Sequence, residues 1–357
     1  MGGRSLAHPR DGDRIPEKPR DGRAREFVWE ISVNKKERVK AVLAGGKPDR
    51  APVSFWHHFP AGSAAGQPAV DAHMRHLEAY NLDFLKIMAD SGYPLPKPVI
   101  TSLDDLAGFG VLDGDEGPLG LQLELVSALR ERLGDDALCC TTVFNSWTTL
   151  RRILWYQHGR PVIRDGEADP YNDALRGWLE QDRSAFVDAL DRIARSLANF
   201  AAKCVEAGAD GVFLSCREDW VEGPVGAPGA YDELVREHDL QILDAVKNAT
   251  FNVLHVCGRP IDLQRFNDYP VQLINWPDRE YGPSIASAKE WAKPAICGGV
   301  NNLTTMPNGT AQQCADEVRD ALRQAGDRPI IVAPGCTYNP DAVPEENLRA
   351  IRQAVEQ

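Results

Sequence analysis

The sequence holds 357 residues, 43% hydrophobic and 26% charged, the balance of an ordinary globular chain with length for one large domain or two modest ones. Its 52 acidic and 40 basic side chains leave a formal net charge of −12, which excludes a protein that grips nucleic acid through a basic face. No apolar run approaches the ~20 residues of a membrane span, and the N-terminus has no apolar signal core. Eight cysteines are too sparse for a disulfide scaffold, so a reducing, cytoplasmic setting is expected, with thiols either buried or bound to metal.

Residues 1–33 mix Arg, Asp, Gly and Pro without apolar periodicity. Arg4, Arg10, Arg14, Arg20, Arg23 and Arg25 alternate with Asp11, Asp13, Glu17 and Asp21. Such a stretch buries too little apolar surface to hold a fold, and a disordered tail is expected. One domain is expected over residues 34–357. It opens with a helix at Lys35–Leu43, with Val39, Val42 and Leu43 on one face and Gly45-Gly46 as its stop.

From there short apolar runs alternate with longer helical stretches. Strands are expected at Ala51–Trp56, Asp83–Met88, Ala137–Phe144, Asp210–Ser215, Phe251–Val256, Val271–Trp276, Ala295–Val300 and Pro329–Ala333, each bounded by Gly, Pro, Asn or Asp. Helical spacing marks Leu119–Leu133, Ser184–Ala207, Tyr231–Asn248, Ala311–Ala325 and a final helix from Glu345. Near-continuous apolar strands separated by helices imply an α/β fold with a parallel sheet covered on both faces. Eight candidates fit a (β/α)8 TIM barrel, with a helical insertion between the third and fourth strands, about Ser146 to Ala209. A doubly wound open sheet is the alternative, but no Gly-rich dinucleotide fingerprint follows any strand.

In such a barrel the chemistry lies at the C-terminal strand ends. The first strand ends on Trp56-His57-His58-Phe59-Pro60, the second on Asp90, the fourth on Cys216-Arg217-Glu218 and the sixth on Asn275-Trp276 with Asp278. The fifth ends on His255 and Cys257, whose i, i+2 spacing puts an imidazole and a thiol on one strand face. Cys297 and Cys336 stand at the ends of the seventh and eighth strands. A buried cysteine is by itself an ordinary core residue. The coincidence of same-face spacing, strand-end position and a further thiol on a nearby strand points instead to zinc held by His255, Cys257 and Cys336, with an open fourth position. Cys297 is the alternative fourth ligand, which would close the site.

These residues resemble the uroporphyrinogen decarboxylase superfamily of (β/α)8 barrels, from about Lys35 to the C-terminus. The resemblance rests on Arg38-Val39, on the turn Gly46-Lys47-Pro48-Asp49-Arg50-Ala51-Pro52-Val53, and on Asp83-Phe84-Leu85-Lys86 with Asp90. It ends on Pro334-Gly335-Cys336-Thr337 followed by Pro340, Pro344 and Glu346-Asn347-Leu348. The decarboxylase branch carries an Arg-Gln-Ala-Gly-Arg-Tyr loop after the first strand, where this chain reads Trp56-His57-His58-Phe59-Pro60-Ala61. A porphyrinogen with many carboxylates needs several cations, which that segment lacks at neutral pH.

The corrinoid-dependent methyltransferase branch, which includes coenzyme M methyltransferases, carries His-x-Cys after one strand and a Cys near the C-terminus, and His255, Cys257 and Cys336 match it. The resemblance implies a zinc-dependent methyltransferase moving a methyl group between a corrinoid protein and a thiol or other small acceptor. Asp90, His57 and Glu218 are the candidate catalytic side chains. With no corrinoid-binding Asp-x-His-x-x-Gly segment, a corrinoid would arrive on a partner protein. A homodimer is allowed, and no nucleic-acid or membrane partner is expected. The alternatives are a uroporphyrinogen decarboxylase-type enzyme acting through Asp90 and, in another class, a non-catalytic binding protein on the same barrel.

Overall fold

A computed structural model of the chain describes residues 33–159, 169–225 and 229–356. The tail expected over residues 1–33 lies, but for its last residue, outside the described residues. Seven parallel strands form one sheet in sequential order: β1 Phe84–Ile87, β2 Leu138–Phe144, β3 Gly211–Arg217, β4 Val253–Cys257, β5 Leu273–Asn275, β6 Ala295–Val300 and β7 Ile330–Pro334. Each lies within a residue or two of an expected run. Parallel neighbours need crossovers, and helices supply most of them.

The run at Ala51–Trp56 departs from expectation. Only an isolated parallel bridge forms there, between Val53 and Val332. Val332 N–H donates to Pro52 O (2.8 Å), Ser54 N–H donates to Val332 O (3.1 Å), and Asp83 N–H donates to Val53 O (2.9 Å). On the β1 side the ladder is replaced by side chains: Val53 N–H goes to Asp83 Oδ2 (2.8 Å) and Ser54 Oγ to Phe84 O (2.9 Å). Pro52 has no N–H to offer. The segment therefore connects β7 to the entry of β1 without being a regular strand.

Asp83 also staples the N-terminal part of the domain. Its fully buried carboxylate takes Arg38 Nη1 at 2.7 Å and Arg50 Nη1 at 2.7 Å, while Arg38 reaches Asp49 through Nε and Nη2, each at 2.7 Å. Thus the Arg38 and Asp49-Arg50 signature joins the helix Lys35–Leu43, its turn and β1. That helix starts with a capping box, in which Asn34 accepts from Glu37 N–H at 2.8 Å.

Alternate strand residues feed two different apolar clusters. Phe84, Leu138, Cys140, Phe213, Val253, Leu273, Cys297, Ile331 and Ala333 join Val39, Val42, Trp56 and Met88 in the smaller cluster. Leu85, Cys139, Leu214, Leu254, Ile274, Ile296 and Val332 point the other way, into the larger cluster shared with the helices. Both faces are buried, as an all-parallel sheet requires.

The long connection between β2 and β3 holds three helices, Ser146–Gln157, Pro170–Gln181 and Arg183–Glu206. The helix expected at Tyr231–Asn248 is broken into Ala230–Leu234 and Arg236–Ala245. A helix at Gly66–Ala79, absent from the expectations, buries Ala69, Val70, His73, Met74 and Leu77 on one face. No helix among the described residues is long and apolar enough to cross a membrane.

Candidate metal centre

Strand β4 presents His255 and Cys257 on the same face as Val253, the face of the smaller cluster. The register places His255 beside Ser215 of β3 and Asn275 of β5. Asn275 Oδ1 lies 2.7 Å from His255 Nδ1, and Asn275 Nδ2 donates to the carbonyls of Cys297 (2.9 Å) and Pro334 (3.1 Å). Because the amide nitrogen is committed to two carbonyls, the oxygen must face the ring. Nδ1 is therefore the donor to it, which leaves Nε2 as the nitrogen for a metal. Phe213 supports the imidazole by stacking at 5.5 Å between ring centres.

Cys257 closes β4, and Cys336 follows β7 in Gly335-Cys336-Thr337. The backbone N–H of Cys336 donates to Asn302 Oδ1 (3.1 Å), whose Nδ2 returns a bond to Thr337 O (3.1 Å), so one amide clamps the turn. Glycines flank both cysteines out of necessity. A Cβ on Gly258, where φ is +123°, would collide with Asp219 Oδ1, and one on Gly335 would collide with Pro277 Cα.

The two Sγ atoms stand 3.9 Å apart. That is far beyond the ~2 Å of a disulfide. It matches the spacing of about 3.8 Å that two thiolates adopt on a tetrahedral zinc with Zn–S bonds of ~2.3 Å. One ligand atom each from His255, Cys257 and Cys336 lies within 4.8 Å of the other two. In chemistry and spacing this N/S/S set fits a zinc ion. Cys257 donates to Cys336, which holds the Cys336 thiol well below its ordinary range and pushes that of Cys257 up; His255 reinforces the first effect. Both cysteines are partly exposed, whereas Cys139, Cys140, Cys204, Cys216, Cys297 and Cys314 are buried. Burial drives the thiols of Cys139 and Cys314 up to about 11. Cys297, the alternative fourth ligand, belongs to the smaller apolar cluster and lies outside the ligand group.

Two cations share the sheet face of the centre. Arg217 is the register partner of Cys257, and its guanidinium is held by Asp219 through Nε–Oδ1 (3.0 Å) and Nη2–Oδ2 (2.6 Å). Lys86 of β1 faces the smaller cluster between Phe84 and Met88 and is only 6% exposed. Its Nζ lies 4.3 Å from the centre of the Phe213 ring, 5.5 Å from that of Trp56 and 3.3 Å from Met88 Sδ. Burial lowers its pKa to about 8.

The expected catalytic residues are scattered. Asp90 receives His58 Nδ1 at 2.6 Å; burial opposes its ionisation, but the His58 contact outweighs this and its pKa falls below the usual value. His57 turns towards Phe59, His76 and Tyr338, with ring centres 4.6, 4.8 and 5.1 Å away, and burial lowers its pKa. Glu218 is bound by Arg265 (2.8 Å) and by the N–H of Asp262 (2.9 Å), and burial raises its pKa. Asp278 accepts Gly299 N–H at 2.8 Å, and burial lifts it to about 6. None of these four belongs to the ligand group. Sequence reasoning assigned no role to Asn275, Asn302, Lys86 or Arg217. Arg217, between Cys216 and Glu218, and Asn275 both stood at expected strand ends, a position that could have flagged them.

The fold has known counterparts. A methyltransferase from Methanosarcina mazei superposes with a TM-score of 0.68 over 90% of this chain and 98% of its own, at 20% identity. Looser likenesses include the B12-independent methionine synthase of a Shewanella species (TM-score 0.42, 12% identity, 65% of this chain and 64% of that one). A putative B12-independent methionine synthase from Listeria monocytogenes is similar at the same TM-score of 0.42 (16% identity, 65% of this chain and 67% of that one). Among curated proteins none matches the chain. The family model for uroporphyrinogen decarboxylase (URO-D) matches residues 74–357, which bears out the resemblance read from the sequence: the chain belongs to the URO-D family.

Proposed function

We propose that this chain is a zinc-dependent methyltransferase that moves a methyl group between a corrinoid protein and a thiol or other small acceptor. The observation that carries the reading is the convergence of His255, Cys257 and Cys336, whose ligand atoms lie within 4.8 Å of one another, with both cysteines partly exposed. The M. mazei methyltransferase, which shares the fold, supports it. The absence of arginine from Trp56–Ala61 speaks against a porphyrinogen carboxylate site there.

A zinc ion held by the three residues would favour the thiolate form of an acceptor thiol in its open position. The chain's own part is to prepare the ligands. Asn275 orients His255 through Nδ1 and leaves Nε2 as the nitrogen for a metal, Asn302 fixes the backbone of Cys336, and Cys257 donates to the Cys336 sulfur. In the transfer, the acceptor sulfur forms its bond to the methyl carbon with its own lone pair. A methylated corrinoid on the partner would supply that methyl group and, as the leaving group, would retain the electron pair of the bond given up. The reverse reaction would demethylate a donor. We also propose that residues 34–357 form the (β/α)8 domain, with the Val53 segment as its eighth element, and that Asp90 with His58 contacts substrate at the rim.

Metal analysis of the purified protein tests the reading. About one zinc per chain is expected, lost on Cys336→Ser and kept on Cys297→Ser. A protein without bound zinc that also fails to take it up would overturn the proposal.

A further inference from the structure

Lys86 is a buried cation that the proposed reaction leaves unused. It stands on β1, faces the smaller apolar cluster and is capped by the rings of Trp56 and Phe213. Among the described residues no carboxylate pairs with it, and its one hydrogen-bond acceptor is the thioether of Met88 at 3.3 Å. A lone ammonium in such surroundings is costly unless a negative charge sits nearby. Asp90, a carboxylate whose charge favours the ammonium, is already bound by His58. What links it to the metal centre is Phe213, whose ring lies 4.3 Å from Nζ and stacks on the metal ligand His255 at 5.5 Å, and a negative charge on Cys336 favours the ammonium.

Charge arithmetic says what the centre lacks. Two thiolates cancel the charge of one Zn²⁺, and His255 is neutral. Arg217 is cancelled by its bidentate partner Asp219. Zinc, the two thiolates, His255 and Lys86 together therefore sum to one positive charge, which an anion in the fourth position would bring to zero.

We propose that Lys86 is the counter-charge for the fourth ligand, so that the site selects a small anionic sulfur ligand, a thiolate, over a neutral one. This rests on the metal reading above. Lys86 acts as a positioning residue: it bonds to no reacting atom, and the thiol's proton leaves to solvent when the ligand binds.

Cobalt-substituted protein provides the test, because each thiolate on Co²⁺ adds sulfur-to-metal charge-transfer absorption. The probes are 2-mercaptoethanol, which binds as its thiolate, and imidazole, which binds neutral. In Lys86→Met the affinity for the thiol is expected to fall roughly tenfold or more, with imidazole binding unchanged and with the absorption of the Cys257 and Cys336 thiolates retained. Lys86→Arg is expected to restore thiol binding. If the methionine variant does not fold, Lys86→Gln replaces it with the same expected result. Equal losses for thiol and imidazole, or none, would overturn the counter-charge while leaving the metal centre in place. A wild-type protein that takes up no cobalt overturns the metal reading itself, and the counter-charge with it.

Discussion

His255 and Asn275 are locked together at 2.7 Å, with the amide oxygen facing Nδ1 because the amide nitrogen is held by the carbonyls of Cys297 and Pro334. One side chain thus ties β4 and β5 to the middle of β6 and the end of β7, and sets which ring nitrogen faces a metal. Partners of this kind contribute about 10- to 100-fold to metal affinity. Asn275→Ala is expected to weaken zinc binding by that factor in a chelator competition while the fold persists. Asn275→Asp is expected to be worse for stability, because it sets a carboxylate against two carbonyl oxygens.

The eight thiols should separate by reactivity. In metal-free protein, Cys336 and Cys257 are partly exposed and the contact with Cys257 lowers the pKa of Cys336, whereas the other six are buried. A small alkylating reagent near neutral pH is expected to modify Cys336 first, and mass spectrometry locates the adduct. Zinc should protect it. Early labelling of Cys297 or Cys216 in the native state would contradict the arrangement.

Removing the buried carboxylate of Asp83 leaves Arg38 and Arg50 without their shared partner. Breaking a buried pair from one side typically costs about 3–5 kcal/mol. Asp83→Ala is expected to lose stability in that range in urea unfolding, with the metal ligands untouched.

Asp239 gives a pH signature. It is fully buried, receives Tyr231 Oη and Tyr269 Oη (the latter at 3.0 Å), and burial raises its pKa from 3.8 to about 6. Between those values the folded protein holds a proton that the unfolded chain has released. Its contribution to stability therefore falls as pH rises from about 4 to about 6 and is level above that, by at most about 3 kcal/mol. Asp239→Asn is expected to abolish this component of the pH profile.

His73 has the opposite sign in an overlapping window. Burial lowers it to about 4, and it is satisfied as a neutral ring by Ala69 O (2.8 Å) and Met88 N–H (3.0 Å). Its contribution is complete above about 6.5 and is lost as pH falls towards 4. His73→Gln is expected to remove that acid-side loss, so unfolding curves of the two variants between pH 4 and 6.5 should diverge from the wild type in opposite senses.

Much of the site was legible because its spacing is local. His255 and Cys257 needed only the two-residue period of a strand, and Cys336 only its place beside Pro334-Gly335 at a strand end. What escaped depends on register. Asn275 reaches His255 from 20 residues away, through the β4–β5 pairing. Lys86, read along the chain, is a charge in a short apolar run, and only the inward alternation of Phe84 and Met88 shows that it is buried. The first expected strand was apolar enough, but Pro52 has no N–H to donate and the Asp83 side chain takes the N–H of Val53, so the ladder does not become regular. The helix Gly66–Ala79 was overlooked although Ala69, Val70, His73, Met74 and Leu77 follow helical spacing, since two of the positions around that stripe are histidines. The break at Val235 divides a continuous helical pattern, and Tyr231, on the near side of it, packs against Phe266 at 5.3 Å.

Cys257 and Cys336 are separated by 79 positions, with β5, β6 and β7 strung between them. The ends of so long a loop meet rarely in an open chain, because closure entropy grows with the length to be closed. In kinetic terms the donor set is a late structure: the sulfurs can face each other only after three further strands have been laid side by side. A cation captured there would cross-link the C-terminal third of the domain without guiding its assembly, so metal competence would report that the sheet is finished.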